Sequence, residues 1–144
     1  MDAAQRYSEY HNNSISTSSQ GKLIVLMYEG AIRFITQAIT CMEKKDISGQ
    51  GNRIQKAYDI VNELSLALNM DEGAEVSLKL HTLYQFILKQ LTLANIKSDP
   101  KALASALEIL STLKEGWDQV LDYKDAGDPP GSPGTLPKNF ATKC

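Results

Sequence analysis

Apolar residues recur every three or four positions in four long stretches of the chain, a spacing typical of amphipathic helices. The stretches predict helices over residues 19–44, 47–69, 74–97 and 100–122. No segment shows the alternating apolar pattern of a half-buried strand, and no glycine pattern typical of a nucleotide site is present. Because the connections are short, the sequence predicts an all-α fold, an antiparallel up-and-down four-helix bundle.

Polar residues suited to helix caps stand at the predicted boundaries. Asp46 and Ser48 carry oxygens that can accept from the free amides of the second helix. Asp99 is placed to cap the fourth helix, and Pro100 suits its first position, where a missing amide costs nothing. Trp117 is expected to be a large core residue near the end of that helix.

The bundle is flanked by segments of different composition. Residues 1–17 are polar and predict an N-terminal arm or short helix, residues 18–122 form the bundle domain, and residues 123–144 contain the run DPPGSPG. A run so rich in proline and glycine builds neither helix nor sheet, so the last segment is predicted to be a flexible, disordered tail.

The first helix carries more apolar surface than one buried stripe needs. Between Lys22 and Ile39, two neighbouring stripes run along it, and Gly30 lies mid-helix, where glycine favours the close approach of another backbone. One stripe can face the bundle's own core. The second requires either a wide core or a docking partner.

Composition and charge exclude several classes of function. A formal charge of -2 and a pI near 5.7 provide no basic field for nucleic acid. The absence of an uncharged apolar run of 18 residues argues against membrane insertion and favours a cytoplasmic protein. Cys41, Cys144, His11 and His81 have no metal-ligand spacing, so we expect no disulfide, metal or other cofactor.

Several segments match a known family in order along the chain. They are LMYEGAIRF at 26–34, KAYDIVNEL at 56–64, LYQFI at 83–87 followed by Leu91, Ala94, Asn95 and Asp99, and finally Trp117. In these segments the chain resembles the FliS family of flagellin export chaperones. It departs from the family pattern at Gln85, where an acidic residue is usual, at Ser19, where proline is frequent, and at Gly116, where alanine is common.

The resemblance implies a non-enzymatic function in the cytoplasm. Proteins of this kind hold the C-terminal segment of newly made flagellin, prevent its early polymerisation and assist its delivery to the flagellar type III export apparatus. The resemblance adds export-gate and flagellar regulatory proteins as candidate partners. An apolar face left uncovered when flagellin is absent can also pair two copies of the chain into a homodimer.

The surplus apolar residues give a hypothesis for the flagellin-binding site. On the first helix they are Leu23, Ile24, Met27, Tyr28 and Ile35, and on the third helix Phe86 and Leu93 with Asn95. Tyr7 and Tyr10 of the arm match family positions and are expected to cover the groove until flagellin arrives. Each of these residues has an alternative role in core packing, and the tyrosines can simply pin the terminus to the bundle.

Two other functions compete with a flagellin chaperone. A di-metal enzyme built on a bundle needs inward Glu residues and Glu-x-x-His pairs, whereas the inward stripes here are aliphatic and aromatic. A generic helical adaptor or regulator that binds another amphipathic peptide fits the apolar pattern equally well. Only the family resemblance separates this adaptor from a flagellin chaperone.

Overall fold

Four helices make up the computed structural model, which describes residues 17–68 and 74–125. They are α1 (Thr17–Glu43), α2 (Ile47–Leu66), α3 (Ala74–Lys97) and α4 (Pro100–Asp125), and the described ranges contain no strand. The all-α prediction is confirmed, with helix limits that differ from the predicted ones by no more than three residues. Residues 1–16 of the predicted arm, the turn at 69–73 and residues 126–144 of the predicted tail lie outside the described residues. Thr17 and residues 123–125, which the sequence assigned to the arm and the tail, are helical.

Each helix packs against two neighbours, since α1 and α3 both contact α2 and α4. The α1–α2 contact is the most extensive, and its register shows that the two helices are antiparallel. Gly30 of α1 faces Ile60 of α2, while Cys41, later in α1, faces Gly49, earlier in α2. The predicted up-and-down four-helix bundle is therefore confirmed. The close neighbour of Gly30 is a side chain, because a Cβ there would lie 3.3 Å from Ile60 Cδ1.

The core contains the side chains that the helical pattern places inward. Trp117 is almost fully enclosed, which confirms its expected role near the end of α4. Tyr28 and Tyr84 meet across the bundle axis, with their hydroxyl oxygens 2.5 Å apart and their ring centroids 6.5 Å apart. One polar side chain, Gln50, is also fully buried.

The two short connections have well-defined caps. Asp46 accepts a hydrogen bond from the Gly49 amide at 2.9 Å, and Asp99 accepts one from the Lys101 amide at 2.9 Å, as predicted for both carboxylates. Lys45 and Ser98 adopt left-handed backbone angles, with φ of 59° and 48°. This conformation ends α1 and α3 and lets the following amides return to carbonyls of the last turn.

Within the described helices, α1 is the one whose length and composition would allow it to cross a membrane, over Gln20–Glu43. The core helix of a soluble protein passes the same test. Here Ala31, Ile35 and Ala38 of α1 have no exposed surface because α2 and α4 cover them. This burial is consistent with a soluble protein.

Candidate functional site

Most of the α1 residues predicted to bind a partner are enclosed in the core. Ile24, Met27, Tyr28 and Ile35 are each 7 % exposed or less, and only Leu23 is half-buried. The physical reason is that α1 has two neighbours, so that one apolar stripe packs towards α2 and the other towards α4. In this structure the four buried residues support the bundle and offer no open groove.

The predicted residues of α3 lie at the surface. Phe86 is 42 % exposed, Leu93 is half-buried and Asn95 is exposed. Two further residues that the sequence analysis missed, Leu78 and Ile96, are 55 % and 75 % exposed. Their spacing from Phe86 is the signal that could have found them. At 100° per residue, Leu78, Phe86, Leu93 and Ile96 fall within an arc of about 80° on the outside of the helix.

We call these four side chains the α3 stripe. It spans 19 residues, with about 27 Å between its two ends at 1.5 Å per residue. Three polar residues, Glu75, Thr82 and Lys89, lie within the same arc. The Thr82 hydroxyl donates to the Leu78 carbonyl at 2.9 Å, Glu75 pairs with Lys79 at 3.4 Å, and Lys89 is exposed between Phe86 and Leu93. The four apolar side chains form a long surface with one cation in it, suited to an amphipathic helix laid along it.

Polar contacts bind α3 to α2 beside the stripe. Gln50 Nε2 lies 3.2 Å from Ser98 Oγ and 3.5 Å from Asn95 Oδ1, so Asn95 already serves the helix contact. At the other end, Ser65 Oγ lies 3.1 Å from His81 Nδ1 and accepts from Gln85 Nε2 at 3.3 Å. These bonds fix the α2–α3 spacing and hence the position of the stripe.

The α1–α4 side of the bundle carries an ion cluster. Lys114 Nζ lies 2.7 Å from Asp118 Oδ2 and 3.8 Å from Glu29 Oε2. The hydrogen bond to Asp118 raises the pKa of the Lys114 amine above its usual value, and the negative charges of Asp118 and Glu29 act in the same direction against a smaller desolvation effect. The Lys114–Asp118 pair lies within α4, so only the longer pair with Glu29 joins α1 to α4, and on a partly exposed surface such a pair stabilises the contact weakly.

Across residues 17–68 and 74–125, no three His, Cys, Asp or Glu side chains come together as a metal site would require. Cys41 is a free, half-buried thiol. Its sulfur lies close to Gly49, at the connection between α1 and α2.

Comparison with known proteins identifies the family. The family profile described as "Flagellar protein FliS" matches residues 3–124. The chain belongs to the FliS family. Two residues of the FliS signatures, Tyr28 of the first and Tyr84 of the second, meet across the core. Much of the signature therefore specifies how the FliS bundle packs.

Curated relatives cover most of the chain. The flagellar secretion chaperone FliS of Vibrio cholerae is 34 % identical over 109 residues, which are 76 % of this chain and 80 % of the relative. The protein of the same name from Bacillus subtilis is 30 % identical over 115 residues, 80 % of this chain and 85 % of the relative. The flagellar secretion chaperone FliSB of Pseudomonas aeruginosa is 30 % identical over 121 residues, 83 % and 96 % of the two chains.

Proposed function

We propose that this chain is a cytoplasmic export chaperone that holds the C-terminal segment of newly made flagellin. In this role it keeps flagellin from polymerising early and assists its delivery to the flagellar type III export apparatus. The family and the names of the relatives support an export chaperone. The observation that carries flagellin binding is the α3 stripe, an exposed apolar surface on an otherwise well-packed bundle.

The stripe suits a flexible protein terminus better than a small molecule. A disordered segment can fold into a helix as it buries its apolar side chains along the stripe. Coupled folding of this kind removes on the order of 1,000–3,000 Å² of surface from water. We place Phe86 and Leu93 in the contact, add Leu78 and Ile96, and assign Asn95 to its edge.

The domain division belongs to the same proposal. The four helices span Thr17–Asp125, so the binding domain extends beyond the predicted bounds of 18 and 122 at both ends. The arm, residues 1–16, covers part of the flagellin site through Tyr7 and Tyr10 until the ligand displaces it. Calorimetry on a Tyr7→Ala/Tyr10→Ala variant tests the arm, since an unchanged affinity and enthalpy for flagellin would remove it from the mechanism.

The decisive experiment titrates the full chain with a peptide of the final ~40 residues of flagellin, long enough for more than one helix. We expect binding with a negative heat-capacity change, the mark of apolar burial. Phe86→Ser/Ile96→Ser should weaken binding at least about tenfold, because Phe86 lies near the middle of the stripe and Ile96 is its most exposed apolar side chain.

Leu26→Ser provides the matched control. Leu26 is 57 % exposed, against 55 % for Leu78, but it lies on α1, away from the stripe. We expect the Leu26→Ser variant to bind the flagellin peptide with the same affinity as the unmodified chain. Equal losses in both variants, or no loss in the α3 variant, would exclude the stripe as the binding surface, and absence of any binding would exclude flagellin as the ligand.

A further inference from the structure

A half-buried aromatic ring on the outer side of the α1–α2 contact is flanked by two cations. Arg33 Cζ lies 5.7 Å and Lys56 Nζ 5.5 Å from the centroid of the Phe34 ring. The negative face of an aromatic ring attracts cations at this distance. Phe34 therefore holds the two positive groups together at the surface, one from each helix.

A third cation, Arg53, lies one helical turn along α2 from Lys56. No carboxylate oxygen of the described residues lies within 4.0 Å of Arg33, Arg53 or Lys56. Asp59 lies one turn from Lys56 and accepts from the Gln55 amide at 2.8 Å, which leaves its negative charge in place without an ion pair to Lys56. Arg53 donates to Asn52 Oδ1 at 2.6 Å. A protein with a net charge of -2 thus carries Arg33 and Lys56 on one ring, with Arg53 a turn away, and none of the three forms an ion pair within the described residues.

Apolar side chains continue this surface towards the start of α1. Leu26 is 57 % exposed and Leu23 is half-buried, and Ile60 of α2 lies between them and the cations. We call the surface formed by Leu23, Leu26, Arg33, Phe34, Arg53, Lys56 and Ile60 the cationic seam. From Leu23 to Phe34 and the level of Arg53 it runs about 20 Å, the length of a helix of about 14 residues.

We propose that the cationic seam is a second docking surface, which takes an acidic amphipathic helix from a partner protein other than the carried chain. Carboxylates of that helix pair with Arg33, Arg53 and Lys56, and its apolar residues contact Leu26 and Phe34. Charge complementarity selects the acidic partner. The α3 stripe is mainly apolar, with Lys89 as the one cation within its arc, and it belongs to the helix diagonally opposite α1, so the two surfaces differ in both chemistry and position.

The test uses a fluorescein-labelled helical peptide of about 14 residues, with glutamates one turn apart beside a Leu/Phe stripe. A second peptide has glutamine at each glutamate position. Anisotropy titrations of the full chain should show binding of the acidic peptide and at least about tenfold weaker binding of the neutral one. The affinity should fall as salt is raised, because the contacts are partly exposed charges.

Charge reversal locates the site. Arg33→Glu/Lys56→Glu should weaken binding of the acidic peptide at least about tenfold, because the two cations are replaced by carboxylates that repel it. Lys89→Glu/Lys101→Glu makes the same change in net charge on α3 and α4 and should leave the affinity within about twofold if local pairing decides binding. Circular dichroism checks that both variants are folded. Equal losses in the two variants would overturn the proposal, as would an unchanged affinity in the first.

Competition between peptides tests which molecule occupies the cationic seam. A saturating concentration of the flagellin C-terminal peptide should leave binding of the acidic peptide unchanged. If the flagellin peptide displaces the acidic peptide, the cationic seam belongs to the flagellin site, and the proposal of a separate partner is overturned. If the chain self-associates and Arg33→Glu/Lys56→Glu abolishes this association, a second copy of the chain occupies the cationic seam. That result would also overturn the proposal of a separate partner. Failure of the flagellin peptide to bind, with the acidic peptide still bound, would remove only the proposed flagellin role.

Discussion

At the scale of single residues, polar atoms in the core hold helices that would otherwise meet through apolar contact alone. Tyr28 and Tyr84 come from diagonally opposite helices, and their hydroxyl groups lie 2.5 Å apart. A buried hydroxyl pair has a defined geometry, whereas aliphatic side chains tolerate sliding and repacking. The pair therefore fixes how far α1 and α3 can shift relative to each other.

We expect the two tyrosines to be energetically coupled. Tyr28→Phe and Tyr84→Phe should each lower the free energy of unfolding by about 1 kcal/mol, the usual net value of a hydrogen bond. The double variant should lose less than the sum of the single losses, because the shared bond is lost only once. Urea unfolding of the four proteins measures this coupling, and strict additivity would show that the hydroxyl groups do not stabilise one another.

Gln50 is a fully buried polar side chain, and its Oε1 has no hydrogen-bond partner among the described residues. Gln50→Met keeps the approximate shape and removes the unpaired acceptor, but it also removes the Nε2 bonds to Ser98 and Asn95, whose exposed side chains can bond to water instead. Because the two effects oppose each other, the free energy of unfolding should change by less than about 1 kcal/mol. Gln50→Glu should lower it by at least about 2 kcal/mol at neutral pH, because a carboxylate would be buried.

The pH dependence of Gln50→Glu follows from the same burial. The pKa of the new carboxyl would be higher in the folded chain than in the unfolded chain. Its destabilisation should therefore be complete above the folded pKa and disappear as the pH falls below about 4, where both states are protonated. Gln85→Glu, at an exposed position, is the control. Chemical denaturation across pH should show little difference in the free energy of unfolding between this variant and the unmodified chain. A pH-independent loss at Gln50 would contradict the argument.

At the scale of helices, local signals predicted most of the fold. Asp46, Asp99 and Pro100 act within a few residues of their own positions, so the boundaries that they mark agree with the structure. On α1, the sequence left open whether the surplus apolar residues pack in the core or bind a partner. A helical pattern shows how wide the apolar face is, but it does not show how many neighbours cover it, and here α2 and α4 cover most of it.

The same limit explains the missed half of the α3 stripe. Phe86 and Leu93 were recognised because they fall outside the inward stripe, whereas Leu78 and Ile96 lie near the helix ends, where apolar residues often pack under a connecting loop. Tertiary contacts decide between these roles. The sequence therefore pointed to α3 but to only part of its exposed apolar surface.

Glycines test the helix contacts directly. A Cβ at Gly116 of α4 would meet no atom within 4 Å, so Gly116→Ala should raise the free energy of unfolding by about 0.5–1 kcal/mol through helix propensity alone. Gly49→Ala should lower it, because the added carbon would overlap the Asp46 carboxylate that caps α2. Thermal unfolding of both variants measures the difference, and a destabilising Gly116→Ala would mean that the site is more crowded than described.

At the scale of the whole molecule, the exposed α3 stripe bears on the state of the free protein. An apolar surface of this length favours self-association when no ligand covers it. We expect the free chain to be in a monomer–dimer equilibrium, and the flagellin C-terminal peptide should shift it to a 1:1 complex. Sedimentation velocity over a range of concentrations measures both steps.

Phe86→Ser/Ile96→Ser should weaken the dimer and the flagellin complex together, because both would use the same surface. Leu26→Ser should change neither. A dimer that persists in the presence of saturating flagellin peptide would show that self-association uses a different face of the bundle.

The positions of the short connections give the bundle two unequal ends. Residues 44–46 join α1 to α2, and residues 98–99 join α3 to α4, both at the same end and both closed by tight backbone turns. At the opposite end, α1 begins and α4 finishes, and the α2–α3 link is longer. A Cβ at Gly21 of α1 would lie 2.7 Å from Leu121 Cδ2 and 3.8 Å from Trp117 Cζ3 of α4, so this end of the bundle is closed by side-chain packing instead of a short connection.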